Sequence, residues 1–269
     1  QDTKEVLSNR RVRGFLKDFL NAEFGDDGLI TIPIDLVSPK SVLDKLENIF
    51  SRYSITVLYT DETKKILQNY FEEEKKFSDF SKKAESIRNN VCSREDFENF
   101  SSIVSEKLQS RILKPLQLLS AYHMAFSQNS CNFSVPGSGK TSIVYAAYSY
   151  LKNLPIGNYK HVDRLLIIGP LSSFGPWEEE YRQCFGRDPV SKRLMGAIKP
   201  WERKSYLYSR NPAEITLISY QTAWILNDSL IDFLKNNKVM VVLDEAHKIK
   251  NADEGAIAKS VLEISDYCK

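Results

Sequence analysis

The sequence predicts an α/β protein: a parallel sheet with helices on both faces, preceded by a small, mixed, helix-rich α/β domain. Three observations carry this. After residue 111, apolar runs of strand length alternate with helical stretches, which implies right-handed crossovers between parallel strands. Three of those runs, RLLIIG (164–169), ITLISY (215–220) and VMVVLD (239–244), are almost continuously apolar, as strands covered on both faces must be. A glycine-rich loop, SVPGSGKTS (134–142), stands between a strand-like and a helix-like segment. A chain of 269 residues suits two domains, and the change of pattern places them at 1–108 and 109–269.

The elements follow in order. Residues 1–22 read as helix, with Val12, Phe15, Leu16, Phe19 and Leu20 at helical spacing. GDDG (25–28) is a turn, and LITIPI (29–34) a strand whose Pro33 favours an edge. Ser41 is a candidate cap for an amphipathic helix presenting Val42, Leu43, Leu46, Ile49 and Phe50. SITVLYT (54–60) is a second strand, and 61–110 is charged and helix-rich, with EEEKK (72–76) a solvated face. This first domain bears no chemical motif, and a protein partner is its expected ligand. A helix then enters through Pro115. CNFSV (131–135) reads as the first strand of the sheet, and TSIVYAAYSYL as the helix after the loop.

Composition narrows the function. Apolar content is 42% and charged content 27%, ordinary for a globular chain. No apolar run approaches the roughly 20 residues of a membrane span, and the polar N-terminus lacks the core of a signal peptide. Cys92, Cys131, Cys184 and Cys268 lie far apart and the three histidines are scattered, so thiols in a reducing compartment, cytoplasmic or nuclear, are expected rather than a metal centre. Net charge is +2. Residues 1–110 hold 17 basic and 20 acidic side chains and the remainder 20 and 15, a mild bias toward a polyanionic partner in the second domain.

Each part of the loop has a physical task. Pro136, Gly137, Ser138, Gly139, Lys140, Thr141 and Ser142 form the candidate ATP cradle. Gly137 and Gly139 let the backbone turn and bring its N–H groups to phosphate oxygens. Lys140 supplies charge to the β- and γ-phosphates, and Thr141 offers a hydroxyl to Mg²⁺ at the start of a helix whose dipole favours the anion. Ser134 occupies the slot where a first glycine is usual, a position that needs only a small residue. About 100 residues on, Asp244 and Glu245 end a buried strand, where a parallel sheet presents its chemistry. Asp244 is the candidate Mg²⁺ ligand and Glu245 the candidate general base for the attacking water. His247 is placed to report the phosphate state.

Asp244-Glu245-Ala246-His247 resembles the DEAH form of motif II in superfamily-two helicase-like ATPases. With Lys248-Ile249-Lys250-Asn251 behind it, the block is similar to the Swi/Snf-type branch, the ATPases of chromatin remodellers and their bacterial relatives. LKPLQ (113–117) resembles the segment in which a glutamine reads adenine, here Gln117. Pro170, Leu171, Ser172, Trp177 and Glu180 resemble motif Ia of that branch, and Ser219-Tyr220 its later strand-end motif.

The resemblance implies a RecA-like P-loop NTPase lobe that uses ATP and Mg²⁺ to move along double-stranded DNA. It makes Ser172, Ser173 and Ser219 candidate contacts to the DNA backbone, although serines there also serve as helix caps. It also implies a strand ending in a Thr-Gly-Thr-like motif after residue 269 and a second RecA-like lobe bearing arginine fingers, so that this stretch alone should bind ATP with little turnover. A strand-separating helicase or a restriction-system motor subunit shares motifs I and II. A module that binds nucleotide or a partner without hydrolysis is the alternative of another class, and the presence of Lys140, Thr141, Asp244 and Glu245 speaks against it.

Overall fold

The computed structural model describes residues 3–25, 30–32, 39–55, scattered positions between 61 and 89, and then 91–127, 129–249 and 255–268. The chain divides into two compact units, Gln1–Ser78 and Asp79–Lys269. In the first, α1 (Thr3–Ser8) leads into α2 (Arg10–Leu20). The Asn9 side chain caps α2 by accepting from the backbone N–H of Arg11 at 3.1 Å. Val12, Leu16 and Leu20, one turn apart, are its buried stripe. β1 (Glu23–Phe24) pairs antiparallel with β2 (Ile30–Thr31), and α3 (Pro39–Arg52) contributes Val42 and Ile49 to the same core. Ser41 lies inside α3 and so is not its cap. Pro33 and most of the expected strand at 54–60 fall outside the described residues.

The second unit is an α/β lobe. Its helices are α4 (Arg94–Lys107), α5 (Pro115–Phe126), α6 (Lys140–Asn153), α7 (Phe174–Phe185), α8 (Pro200–Leu207), α9 (Tyr220–Ile225), α10 (Asn227–Asn236) and α11 (Ala256–Ser265). Its strands are β3 (Arg164–Ile168), β4 (Ser191–Leu194), β5 (Ile215–Ile218) and β6 (Val239–Leu243). All pairings in this sheet are parallel, in the order β4-β5-β3-β6. Strand periodicity sorts the core into two layers. Leu165, Ile167, Leu217 and Met240 pack with α4, α5, α6 and α7. Leu166, Ile168, Ile218 and Val239 pack on the other face with residues of α8, α9, α10 and α11. The expected parallel sheet with helices on both faces is therefore present.

The expected first strand of the sheet is absent. Residues 131–135 are not a strand: Phe133 and Val135 are 91% and 70% exposed, and the Asn132 side chain accepts from the backbone N–H of Ser134 at 3.1 Å. That local turn replaces a ladder. β4 went unforeseen because its sequence, Ser-Lys-Arg-Leu, is that of a charged edge strand. The boundary expected at 108 also differs from the division after Ser78. Phe100 and Val104 of α4 are buried in the core of the lobe, with the Phe100 ring 5.2 Å from Tyr122 of α5 and 4.9 Å from Tyr150 of α6.

At the end of the sheet away from the strand C-termini, Glu214 collects four donors. Lys152 Nζ lies at 2.7 Å, Tyr181 OH at 3.2 Å, Tyr148 OH at 3.3 Å and Arg187 at 3.4 Å. Burial works against its charge, but the hydrogen bond and charge of Lys152, then Arg187 and Tyr181, outweigh it and hold the carboxyl below its ordinary value.

Two outcomes follow from this packing. Phe100→Ala should cost the lobe about 3–5 kcal/mol, seen as a lower denaturation midpoint for the unit that contains the parallel sheet; an effect confined to the first unit would restore the boundary at 108. Glu214→Gln should cost about 1–3 kcal/mol at neutral pH. Because the folded value is depressed, that contribution is complete above about pH 4.5 and is lost as pH falls through the folded value. The midpoints of the parent and Glu214→Gln proteins should therefore converge in acid.

Candidate functional site

The glycine-rich loop is fixed from below and open above. Gly137 and Gly139 adopt φ of 79° and 81°, the left-handed region that glycine occupies without strain. A Cβ on Gly139 would meet the Gln117 amide nitrogen, so a side chain there would have to displace that amide. That amide nitrogen donates to the carbonyl of Ser138 at 2.7 Å, while its oxygen accepts from the backbone N–H of Lys114 at 2.9 Å. Gln117, expected to read adenine, here braces the phosphate loop. Lys140 is exposed, and its Nζ donates to the Ser134 carbonyl at 2.7 Å. Ser134 thus serves through its carbonyl, and its hydroxyl bonds to Asn132.

The loop has donors to spare. Among the described residues the N–H groups of Gly137, Gly139 and Lys140 find no acceptor, and the buried hydroxyl of Ser138 has no partner. A buried polar atom left alone costs about 1–3 kcal/mol, so this set suits an anion held over the start of α6. Pro136 is exposed and Thr141 half-buried at the same end. Ser142 departs from expectation. It is fully buried, its hydroxyl donates to Glu180, and Arg111 lies 3.4 Å from it and 3.0 Å from Glu180. That hydroxyl is committed to the protein interior.

The second half stands at the C-terminal end of β6. The backbone N–H of Asp244 continues the ladder to the Ile168 carbonyl at 2.8 Å. Gly169, at the end of β3, makes room for it: a Cβ there would come within 2.9 Å of the Asp244 Cβ. The Trp177 indole N–H donates to Asp244 Oδ2 at 3.0 Å, and the Tyr220 hydroxyl donates to the Asp244 carbonyl at 2.8 Å. Burial, with the charges of Asp244 and Glu245, pushes the Tyr220 phenol well above its ordinary value, so it remains a donor. Oδ1 of Asp244 has no partner among the described residues, which leaves a hard carboxylate oxygen of the kind Mg²⁺ prefers. Glu245 has φ 54° and ψ 45°, a left-handed conformation uncommon outside glycine, and its carboxylate lies 3.1 Å from His247 Nδ1.

The two halves meet through α7. Ser142, in the first turn of α6, bonds to Glu180. One turn later, the Tyr145 hydroxyl donates to the Trp177 carbonyl at 2.7 Å, and Trp177 reaches Asp244. Arg111 and Asn132 were absent from the sequence-derived site, since a lone arginine or asparagine carries no motif. Of the candidate DNA-contacting serines, Ser172 is exposed on the short turn Leu171–Ser173. Ser173 is half-buried and donates to the Pro170 carbonyl at 2.9 Å. Ser219 is 7% exposed and caps α9, accepting from the Thr222 N–H at 3.2 Å, with its oxygen 2.9 Å from the Thr222 hydroxyl.

The family model described as "Type III restriction enzyme, res subunit" matches residues 127–269, a span that holds both the loop and Asp244-Glu245. No curated protein matches. Among solved structures, the Sulfolobus solfataricus SWI2/SNF2 ATPase core in complex with dsDNA is 24% identical, with a TM-score of 0.41, over 58% of this chain and 30% of that one. The present chain thus spans less than a third of that structure's length. A match over more than half the chain, across the phosphate loop and the Asp244-Glu245 strand end, places it in the family of type III restriction enzyme res subunits, a helicase-like superfamily-two ATPase domain.

Proposed function

We propose that this chain is the ATP-binding lobe of a motor that hydrolyses ATP to move along double-stranded DNA. The observation that carries the reading is the continuous contact path from the helix after the phosphate loop, through Glu180 and Trp177 of α7, to Asp244. Such a path holds the phosphate grip and the metal carboxylate in one rigid frame, as phosphoryl transfer by positioning demands.

The free N–H groups of Gly137, Gly139 and Lys140 bind phosphate oxygens. Lys140 leaves the Ser134 carbonyl to reach the β- and γ-phosphates, an inexpensive exchange for an exposed ammonium. Thr141 and Asp244 are the residues that would hold Mg²⁺, which when bound offsets charge on the phosphates. Glu245 orients a water and takes its proton as the oxygen attacks the γ-phosphorus and the bond to the β-phosphate oxygen breaks. His247, paired with Glu245, is placed to feel that change of charge. Ser172, on its exposed turn, is the serine retained as a contact to the DNA backbone.

Full turnover calls for a second RecA-like lobe that contributes arginine to the γ-phosphate. A Swi/Snf-type translocase is the reading that the Asp244–Asn251 block and the Pro170–Glu180 block support. The family match over residues 127–269 favours a second one, the motor subunit of a restriction system. Both move on duplex DNA, and a helicase that separates strands is the contrast.

In the full-length protein, Glu245→Gln should lower DNA-stimulated ATP hydrolysis by about 10²–10⁴-fold while ATP still binds. Unchanged hydrolysis removes Glu245 from the role of base, and a parent protein that binds ATP without ever hydrolysing it points instead to a passive nucleotide module. Displacement of a triplex-forming strand from duplex DNA, without separation of the duplex itself, is the expected motor signature. Release of single strands would assign a helicase.

A further inference from the structure

We propose that Trp177 is a positioning residue for the Asp244 carboxylate, holding one oxygen so that the other is presented to the metal–nucleotide complex. The proposal rests on the ATP and Mg²⁺ reading of the site. Trp177 is 5% exposed, and its indole N–H, 3.0 Å from Oδ2, is a donor with no capacity to bind a metal. It therefore takes up one carboxylate oxygen and leaves Oδ1 free.

The rest of Asp244 is already fixed. Its N–H is in the ladder to Ile168, its carbonyl is held by Tyr220, and its Cβ sits against Gly169, where no side chain fits. Rotation of the carboxylate is the freedom that remains, and the torsion of an aspartate carboxylate is intrinsically broad. Trp177 removes it.

Trp177 is in turn located by the helix of the phosphate loop. Tyr145 of α6 donates to its carbonyl, and the two rings meet edge to face at 5.5 Å. The orientation of the metal carboxylate is thereby referenced to the helix that begins at Lys140 and Thr141. Mg²⁺ demands near-octahedral ligands, so a loosened carboxylate loses affinity for Mg²⁺ itself, not for the nucleotide.

Trp177→Phe keeps a buried ring and deletes the N–H. With a fluorescent ATP analogue as probe, the Mg²⁺ concentration required for metal-dependent binding should rise by about 10–100-fold. Affinity for the analogue in EDTA should be unchanged. Equal losses in both conditions would make Trp177 a packing residue and overturn the proposal, as would no loss in either.

A second measurement leaves Trp177 in place. Trp201 and Trp224 are 66% and 47% exposed, and they are the other two of the chain's three tryptophans. In a Trp201→Phe, Trp224→Phe protein the single isotope-labelled indole N–H resonance belongs to Trp177. It should shift when Mg²⁺ and nucleotide are added together and stay in place with nucleotide in EDTA; a resonance that ignores Mg²⁺ overturns the proposal. Parent protein that binds no nucleotide under any condition defeats the ATP reading along with it. Parent protein with Mg²⁺-dependent binding that Trp177→Phe reproduces defeats the positioning role alone.

Discussion

From Ser142 to Leu151 every residue of α6 is buried, so the helix has no solvent-facing side to absorb an error in its placement. Interiors are packed like crystals, and a helix enclosed by α4, α5, α7 and the sheet can sit in one position only. That constraint fixes where Lys140 and Thr141 emerge. It also explains the tyrosines along α6. A helix with no wet face must satisfy its polar groups internally, and it does so with Tyr145 on the Trp177 carbonyl and Tyr148 on the Asp163 carbonyl and Glu214. Glu214 anchors the far end of the lobe by the same logic, drawing Lys152 of α6, Tyr181 of α7 and Arg187 to one carboxylate.

At the other end of the sheet, rigidity and strain sit side by side. Asp244 is restrained through its N–H, its carbonyl and one carboxylate oxygen. The next residue, Glu245, is held in a left-handed conformation that costs a non-glycine residue of order 1–3 kcal/mol. The chain therefore leaves the strand geometry at Glu245, directly after the residue that the ladder still holds.

The strands β3 and β5 were legible because burial on both faces leaves nearly unbroken apolar runs, and β6, buried at Val239 and Met240, keeps the same apolar character to Leu243. The glycine-rich loop and the strand-end pair Asp244-Glu245 stood out in the sequence because both are particular residue types at fixed places, and the structure sets them at the start of α6 and the end of β6. What was missed has physical causes. Cys131 to Val135 alternates like a strand, but the Asn132 side chain offers Ser134 a closer partner than a neighbouring strand does. β4 hides because two of its four residues are charged. Serines are ambiguous by nature: Ser142 and Ser219 stand in the right motifs, yet one is buried against Glu180 and the other caps α9. α4 falls within the second compact unit although it is charged on its exposed side, and its buried Phe100 and Val104 are what join it to that core.

Gln117 and Lys140 show how such a loop can be both preformed and ready. Each donates to a carbonyl of the same loop, Gln117 to Ser138 and Lys140 to Ser134. The Gln117 bond is partly buried, and its amide oxygen is held at the other end by the exposed N–H of Lys114, so releasing it would take a partly buried donor from the Ser138 carbonyl. The Lys140 bond is exposed, and water replaces it at a net cost of about 0.5–1.5 kcal/mol. The loop is therefore already shaped by Gln117, and the Lys140 contact is the one that exchanges most readily. The side chain that the sequence offers as the reader of adenine is thus, in this structure, the brace that gives the glycine-rich loop its shape.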